Sequence, residues 1–226
     1  MQRVRMSLPY FSDYGWDATA VTVDEKYIDL AKDNLLLKTI PTNVKVHKVG
    51  AFNKTWTSKI GFGSIALRVL WFYNNEVSRI LKNEKFDLIY FSTTQFPVCV
   101  LGAYWKKRFS VPYVIDMQDP WHSNYYDNKP KEQRPAKYKV VYSLHKYLEA
   151  KAMQFVDGLI SVSDNYIISL QNKYPRLKLV PSATITFGAF EPDFKIAADH
   201  ESEFKTILNP STKSIVYIGR GGGRFI

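Results

Sequence analysis

A single cysteine, Cys99, occurs in 226 residues, so the chain can form no internal disulfide and no cysteine-built zinc site. That scarcity fits a reducing compartment. No apolar run approaches the roughly 18 residues of a membrane span, and no secretory leader pattern opens the chain. The expectation is a cytoplasmic protein whose membrane contact is at most peripheral. Acidic residues are also scarce: 21 Asp and Glu against 31 Lys and Arg leave a net charge of +10. Such an excess favours anionic lipid surfaces, phosphate-bearing substrates or nucleic acid, without choosing among them. No recognised nucleic-acid-binding motif occurs, so none of the last is expected as a partner. The four histidines, His47, His122, His145 and His200, stand apart with no metal-ligand spacing, so neither a metal nor another cofactor is expected. His47 falls in a strand pattern and His145 in a helix pattern, which reads as structural. No Gly-x-Ser-x-Gly elbow occurs to activate a serine, and neither the Walker nor the dinucleotide glycine spacing is matched.

Hydrophobic residues make up 46% of the chain, enough for a substantial core. Short apolar runs recur at 18–23, 44–49, 87–91, 112–116, 158–163 and 214–219. The later ones are apolar nearly throughout, as strands covered on both faces should be. Helical patterns lie between them, at 27–38, 65–81, 97–108, 137–155 and 165–173. Strand–helix alternation at this spacing predicts an α/β, doubly wound parallel sheet of Rossmann-like type. The opening stretch, up to Gly15, reads as a helix with no strand before it, and "SIVYIG" near the other end is a buried-type strand without a parallel neighbour after it. The expected division is therefore a domain over 1–191 lacking its first strand, a linker over 192–213, and the first strand and Gly-rich loop of a second domain over 214–226.

In open parallel sheets, ligands sit beyond the carboxyl ends of the strands. Three strand ends carry polar residues. "IYFSTTQFP" sets Ser92, Thr93, Thr94 and Gln95 before a helix, where hydroxyls can either meet a ligand or cap the helix. "VIDMQDPWHSNYY" sets Asp116, Asp119, Trp121 and His122 within seven residues. Carboxylates, an imidazole and an indole combine proton acceptance with a flat apolar surface, as sugar recognition needs. In "GLISVSDNYI", Ser163 or Asp164 reads as a helix cap rather than as a nucleophile. "YIGRGGGRF" follows a strand with glycines that let backbone approach a phosphate and with Arg220 to neutralise it; a flexible end is the competing reading. "NKTWTSKIGFGSIALRVLWFYNN" mixes Lys54, Lys59 and Arg68 with five aromatic residues. It suits a membrane interface or a lipid-linked acceptor, or else a core segment with wet lysines. A methyltransferase reading of "GWDATAVTVDEKYIDLAKDNL" would need a Gly-rich loop just upstream, and "RVRMSLPYFSDY" has no glycine.

The order of these stretches resembles the N-terminal half of a family 4 retaining glycosyltransferase of the GT-B fold. The residues that carry it are "FDLIYFSTTQFPVCVLGAYWKKRFSVPYVIDMQDPW", "LEAKAMQFVDGLISVSDNYIISLQNKYP", "ITFGAFEPDFK" and "SIVYIGRGG". In that family a strand ending in "D.rD.W" leads through a helix to "aD.vi.vS", and an "nG.d...F" segment then introduces the donor-binding domain. The stretch "QRVRMSLPYFSDYGWDATAVTV" matches the family's first helix and second strand. The resemblance implies transfer of a sugar from a nucleotide-sugar to a glycan or lipid-linked acceptor with retention of configuration. It implies donor-diphosphate contacts at Gly219, Arg220, Gly221 and Gly222, and a cleft bearing Ser92, Thr93, Thr94, Asp116 and Trp121, with Asp119 and His122 as catalytic candidates. Gly188 and Phe194 match the interdomain segment, where Phe187 replaces the usual Asn. The family's first strand with its Gly-rich loop, and the rest of its donor domain, have no counterpart in the sequence, so the expectation is a fragment inactive alone. A separate, non-catalytic acceptor-binding subunit is the alternative.

Overall fold

The computed structural model describes residues 2–28, 34–59, 63–122, 126, 129–134 and 138–204. It is an α/β fold with parallel strands only. The strands are β1 (Thr19–Val23), β2 (Lys45–Val49), β3 (Ile89–Ser92), β4 (Tyr113–Met117), β5 (Gly158–Ser161) and β6 (Ser182–Thr184). Helices alternate with them: α1 (Gln2–Phe11), α2 (Asn34–Leu37), α3 (Lys54–Lys59), α4 (Ile65–Arg68), α5 (Leu70–Asn83), α6 (Val100–Phe109), α7 (Tyr138–Met153), α8 (Asp164–Lys173), α9 (Glu191–Asp199) and α10 (Glu201–Phe204). The run at 214–219, together with Gly219, Arg220, Gly221 and Gly222, lies outside the described residues.

The strands form two ladders, β1–β2 and β3–β4–β5–β6. A doubly wound sheet in the order 3-2-1-4-5-6 splits into a two-stranded and a three-stranded ladder once its central first strand is taken out; here the second ladder has one strand more, β6. Side chains alternate across the four-stranded ladder. Tyr90, Ser92 and Asp116 face one way, toward α1, whose Phe11 packs edge-on to Tyr90 at 6.4 Å. Phe91, Tyr113 and Ile115 face the other way. There Trp105 of α6 stacks on Phe91 at 5.9 Å, and the Tyr113 hydroxyl donates to the Ala152 carbonyl of α7 at 2.6 Å. That second face holds most of the apolar core, with Cys99, Tyr113, Ile115, Ala152 and Leu177 sealed from solvent.

Local chemistry accounts for the boundaries. After α1 the chain turns through Gly15 at φ 76°, its N–H bonding Ser12 O at 3.0 Å while Trp16 N–H reaches back to Phe11 O at 2.9 Å. This paired capping favours a residue without a Cβ. The 27–38 helix is described only as a 3₁₀ turn at Glu25–Tyr27 and as α2. The 65–81 helix is two, α4 and α5, and the 97–108 helix opens as a 3₁₀ turn at Phe96–Cys99. One expectation needs correction. Ser163 occupies the cap of α8 without a side-chain capping bond, and Asp164 instead accepts from the Thr184 hydroxyl of β6. The stretch from 192, expected as a linker, is helical where it is described, and Asp193 of α9 pairs with Arg5 of α1.

Candidate functional site

The four strands β3 to β6 run parallel, so the residues after β3, β4 and β6 emerge on one edge. Register then builds the site. Ser92 lies opposite Asp116, and Tyr90 lies two residues earlier on the same face. The Tyr90 and Ser92 hydroxyls each donate to Asp116 Oδ2 at 2.9 Å. The Gln118 amide donates to Ser92 Oγ at 2.9 Å. From α1, Arg3 brings its Nε to 2.7 Å from the same carboxylate oxygen, too poorly aligned for a hydrogen bond, and its Nη2 donates to Ile185 O at 2.5 Å. Asp116 is wholly buried, and its Oδ1 has no partner among the described residues. Burial and the facing carboxylate raise the Tyr90 phenol well above its ordinary value, so it stays a donor.

Above this network an open cavity of about 470 Å³ is lined by Arg5, Gln118, Phe187, Gly188, Phe190 and Phe194, among others. Phe187 lies against the Arg3 guanidinium at 4.7 Å, so one lining ring packs on the arginine that faces Asp116. Arg5 grips Asp193 through both oxygens at 2.6 and 2.7 Å and lies under the Phe190 ring at 5.2 Å. Those hydrogen bonds hold the Asp193 carboxyl below its usual range. Both arginines are therefore neutralised by carboxylates. The cavity presents aromatic faces and a planar amide rather than free positive charge. A neutral polyhydroxyl ligand suits such a lining better than a phosphate does.

Trp121 and His122 lie elsewhere, on the α7 side of the sheet. Trp121 is buried, stacks on Phe96 at 5.6 Å and donates its indole N–H to His145 Nδ1 at 2.9 Å. It therefore offers no open face to a sugar. His122 Nε2 is 2.6 Å from Lys173 Nζ, and Lys173 and the Tyr174 hydroxyl both donate to the buried Glu149. A protonated lysine only donates, so Nε2 accepts and the His122 proton sits on Nδ1. That Nδ1 is buried without a partner among the described residues. Burial lowers the proton affinity of His122, against the pull of Glu149, and lowers that of His145. Asp116 and the Trp121–His122 pair, which the sequence set in one cleft, thus stand on opposite faces, because the chain turns over the sheet edge at 118–120.

Of the other candidates, Asp119 is exposed beside Gln118, though it does not line the cavity. Thr93 accepts from Gln95 N–H at 2.9 Å within its own turn, and Thr94 is exposed. Ser92 serves Asp116. Sequence reasoning missed Arg3, Arg5, Tyr90, Glu149 and Lys173; the first two had a signal in the two arginines spaced along one short apolar helix. Among the described residues no cluster of three or more His, Cys, Asp or Glu is placed to hold a metal, and no helix is long and apolar enough to cross a membrane. No protein-family model matches the chain, and no curated protein matches it either.

Proposed function

We propose that the chain is the acceptor-side domain of a retaining glycosyltransferase, which moves a sugar from a nucleotide-sugar to a glycan or lipid-linked acceptor. One observation carries the reading. The cavity beyond β4 sets three phenylalanine rings, Phe187, Phe190 and Phe194, beside the Gln118 amide. Aromatic faces suit the apolar faces of a sugar ring, and the amide suits its hydroxyls. In the reaction an acceptor oxygen bonds to the anomeric carbon, and the bond from that carbon to the donor diphosphate breaks. The diphosphate departs with the bond's electron pair, and the acceptor's hydroxyl proton passes to the departing diphosphate oxygen. Asp119, exposed beside Gln118, is the side chain we assign to orient the acceptor hydroxyl. His122, its Nε2 held by Lys173, is left a positioning role. Gly219, Arg220, Gly221 and Gly222 are the residues proposed for the diphosphate, where glycine backbone and a guanidinium suit phosphate oxygens.

Saccharide-array binding by the 226-residue chain, followed by calorimetry on the best ligand, tests the reading. Gln118→Ala and Phe187→Ala should each weaken a neutral saccharide or lipid-linked saccharide about tenfold, which is about 1.4 kcal/mol. No saccharide binding, or binding untouched in both variants, would sink it. Binding of S-adenosylmethionine in the same cavity would replace it with a methyltransferase reading.

A further inference from the structure

From Asn34 to Asn75 the sequence holds six cationic residues, Lys38, Lys45, Lys48, Lys54, Lys59 and Arg68, and not one Asp or Glu. Acids make up 21 of 226 residues, so a stretch of this length would ordinarily hold about four; with Arg68 buried and Lys45 paired to Glu84, its basic surface is carried by Lys48, Lys54 and Lys59. The same stretch carries three large aromatic side chains in water. Trp56 is 80% exposed, Trp71 56% and Phe52 48%. Scattered exposed aromatics mean little, but contiguous ones mark a contact surface. Here the Phe52 and Trp71 rings lie 6.1 Å apart, bridged by Phe72 at 5.0 and 4.9 Å.

The fold holds them out rather than leaving them loose. Arg68 is buried and donates through Nε to Phe52 O at 2.7 Å, while Phe52 N–H returns to Arg68 O at 3.2 Å. The Asn53 side chain accepts from Thr55 N–H at 2.8 Å at the start of α3, which carries Trp56 outward between Lys54 and Lys59. We infer that this surface, Phe52, Trp56 and Trp71 flanked by Lys48, Lys54 and Lys59, docks on an anionic lipid bilayer. Indole and phenyl rings sit at headgroup depth while lysine stems lie along the apolar surface with their charges on lipid phosphates. Single-stranded nucleic acid fits less well. Base stacking needs open, parallel ring faces, whereas Trp71 and Phe52 meet Phe72 edge to face, at 89° and 64°.

Phe52 lies three residues past the end of β2, and Gln118 one residue past the end of β4. Docking would therefore turn the strand-end edge, with its cavity, toward the lipid. That orientation rests on the proposed function; the surface itself does not. Cosedimentation of the full chain with vesicles tests it, using phosphatidylcholine alone and phosphatidylcholine mixed with phosphatidylglycerol. Anionic vesicles should bind at least about tenfold more tightly, with a blue shift of tryptophan emission and loss at high salt. Trp56→Ser with Trp71→Ser, and separately Lys54→Glu with Lys59→Glu, should each cut that binding about tenfold while circular dichroism and saccharide binding stay unchanged. Equal binding to neutral vesicles, no binding, or an unaffected tryptophan pair would overturn the proposal. So would tighter binding of a single-stranded oligonucleotide that the same variants abolish. Saccharide binding on the same samples reports failure of the functional reading separately.

Discussion

Deleting the Asp116 carboxylate would strand the Arg3 guanidinium in a site with almost no access to water. Asp116→Ala should cost about 3–5 kcal/mol of stability, the usual penalty of an uncompensated buried charge, in urea unfolding. Arg3→Met with Asp116→Leu should recover most of it, and a neutral Asp116→Ala result would show that the pair carries no such energy. His122 and His145 give a second prediction, of opposite chemistry. Their folded proton affinities are depressed by burial below the ordinary imidazole value of about 6.5, so the unfolded chain binds more protons just below that pH. Stability should be fully present above about 6.5 and fall as the pH drops toward the folded values. Unfolding midpoints at neutral and mildly acidic pH check this, and His122→Gln should flatten the slope. At this scale the sequence made Asp116 legible, because an acid ending an apolar strand is conspicuous. It could not pair Asp116 with Arg3, since a contact across 113 residues of chain depends on register and helix placement. Nor could it separate Asp116 from His122, because the turn at 118–120 decides that.

Between elements, α6 packs closely on the sheet where Gly102 faces two aromatic rings. A Cβ there would stand 2.6 Å from Tyr113 Cδ2 and 2.9 Å from Phe91 Cε2. Neither ring can retreat: Tyr113 is fully buried with its hydroxyl bound to Ala152 O, and Phe91 is stacked on Trp105. Gly102→Ala gains about 1 kcal/mol of helix propensity but overpacks by about 3, so a net loss of about 2 kcal/mol is expected in thermal or urea unfolding. A stabilised variant would mean that α6 can slide. Apolar periodicity placed β1 to β5 and the long helices to within a few residues, because burial on both faces demands it. It missed β6, whose Ser182, Ala183 and Thr184 are exposed and polar or small, and are held by pairing with β5. It missed α9 because Asp193 stabilises that helix from the outside, through Arg5, rather than by an apolar stripe.

For the molecule as a whole, the division into two ladders sets the order in which it opens. The four-stranded ladder is buried by α6 and α7 on one face and braced by the Arg3–Asp116 network on the other. The β1–β2 pair has only two strands, of which β2 is largely exposed, apart from Val49 and a half-buried His47. Two-stranded sheets are marginal without further cover. Its cover here is narrow: Gly50 set against Phe72, and Tyr73, whose phenol burial pushes up to about 12. Opening of β1–β2 should therefore precede global unfolding, as a separate cooperative unit. Hydrogen exchange at low urea should show the amides of 19–23 and 45–49 exchanging by a shallow, sub-global route. Those of 113–117 and 158–161 should track the global free energy. The Arg3 link supplies the control. Arg3→Met alone should lower protection across the four-stranded ladder and leave the β1–β2 amides nearly as they were, since α1 reaches Asp116 and not β2. Uniform protection over both ladders would show instead that they fold as one sheet, with the two edges coupled through the shared core around Val69 and Ala51.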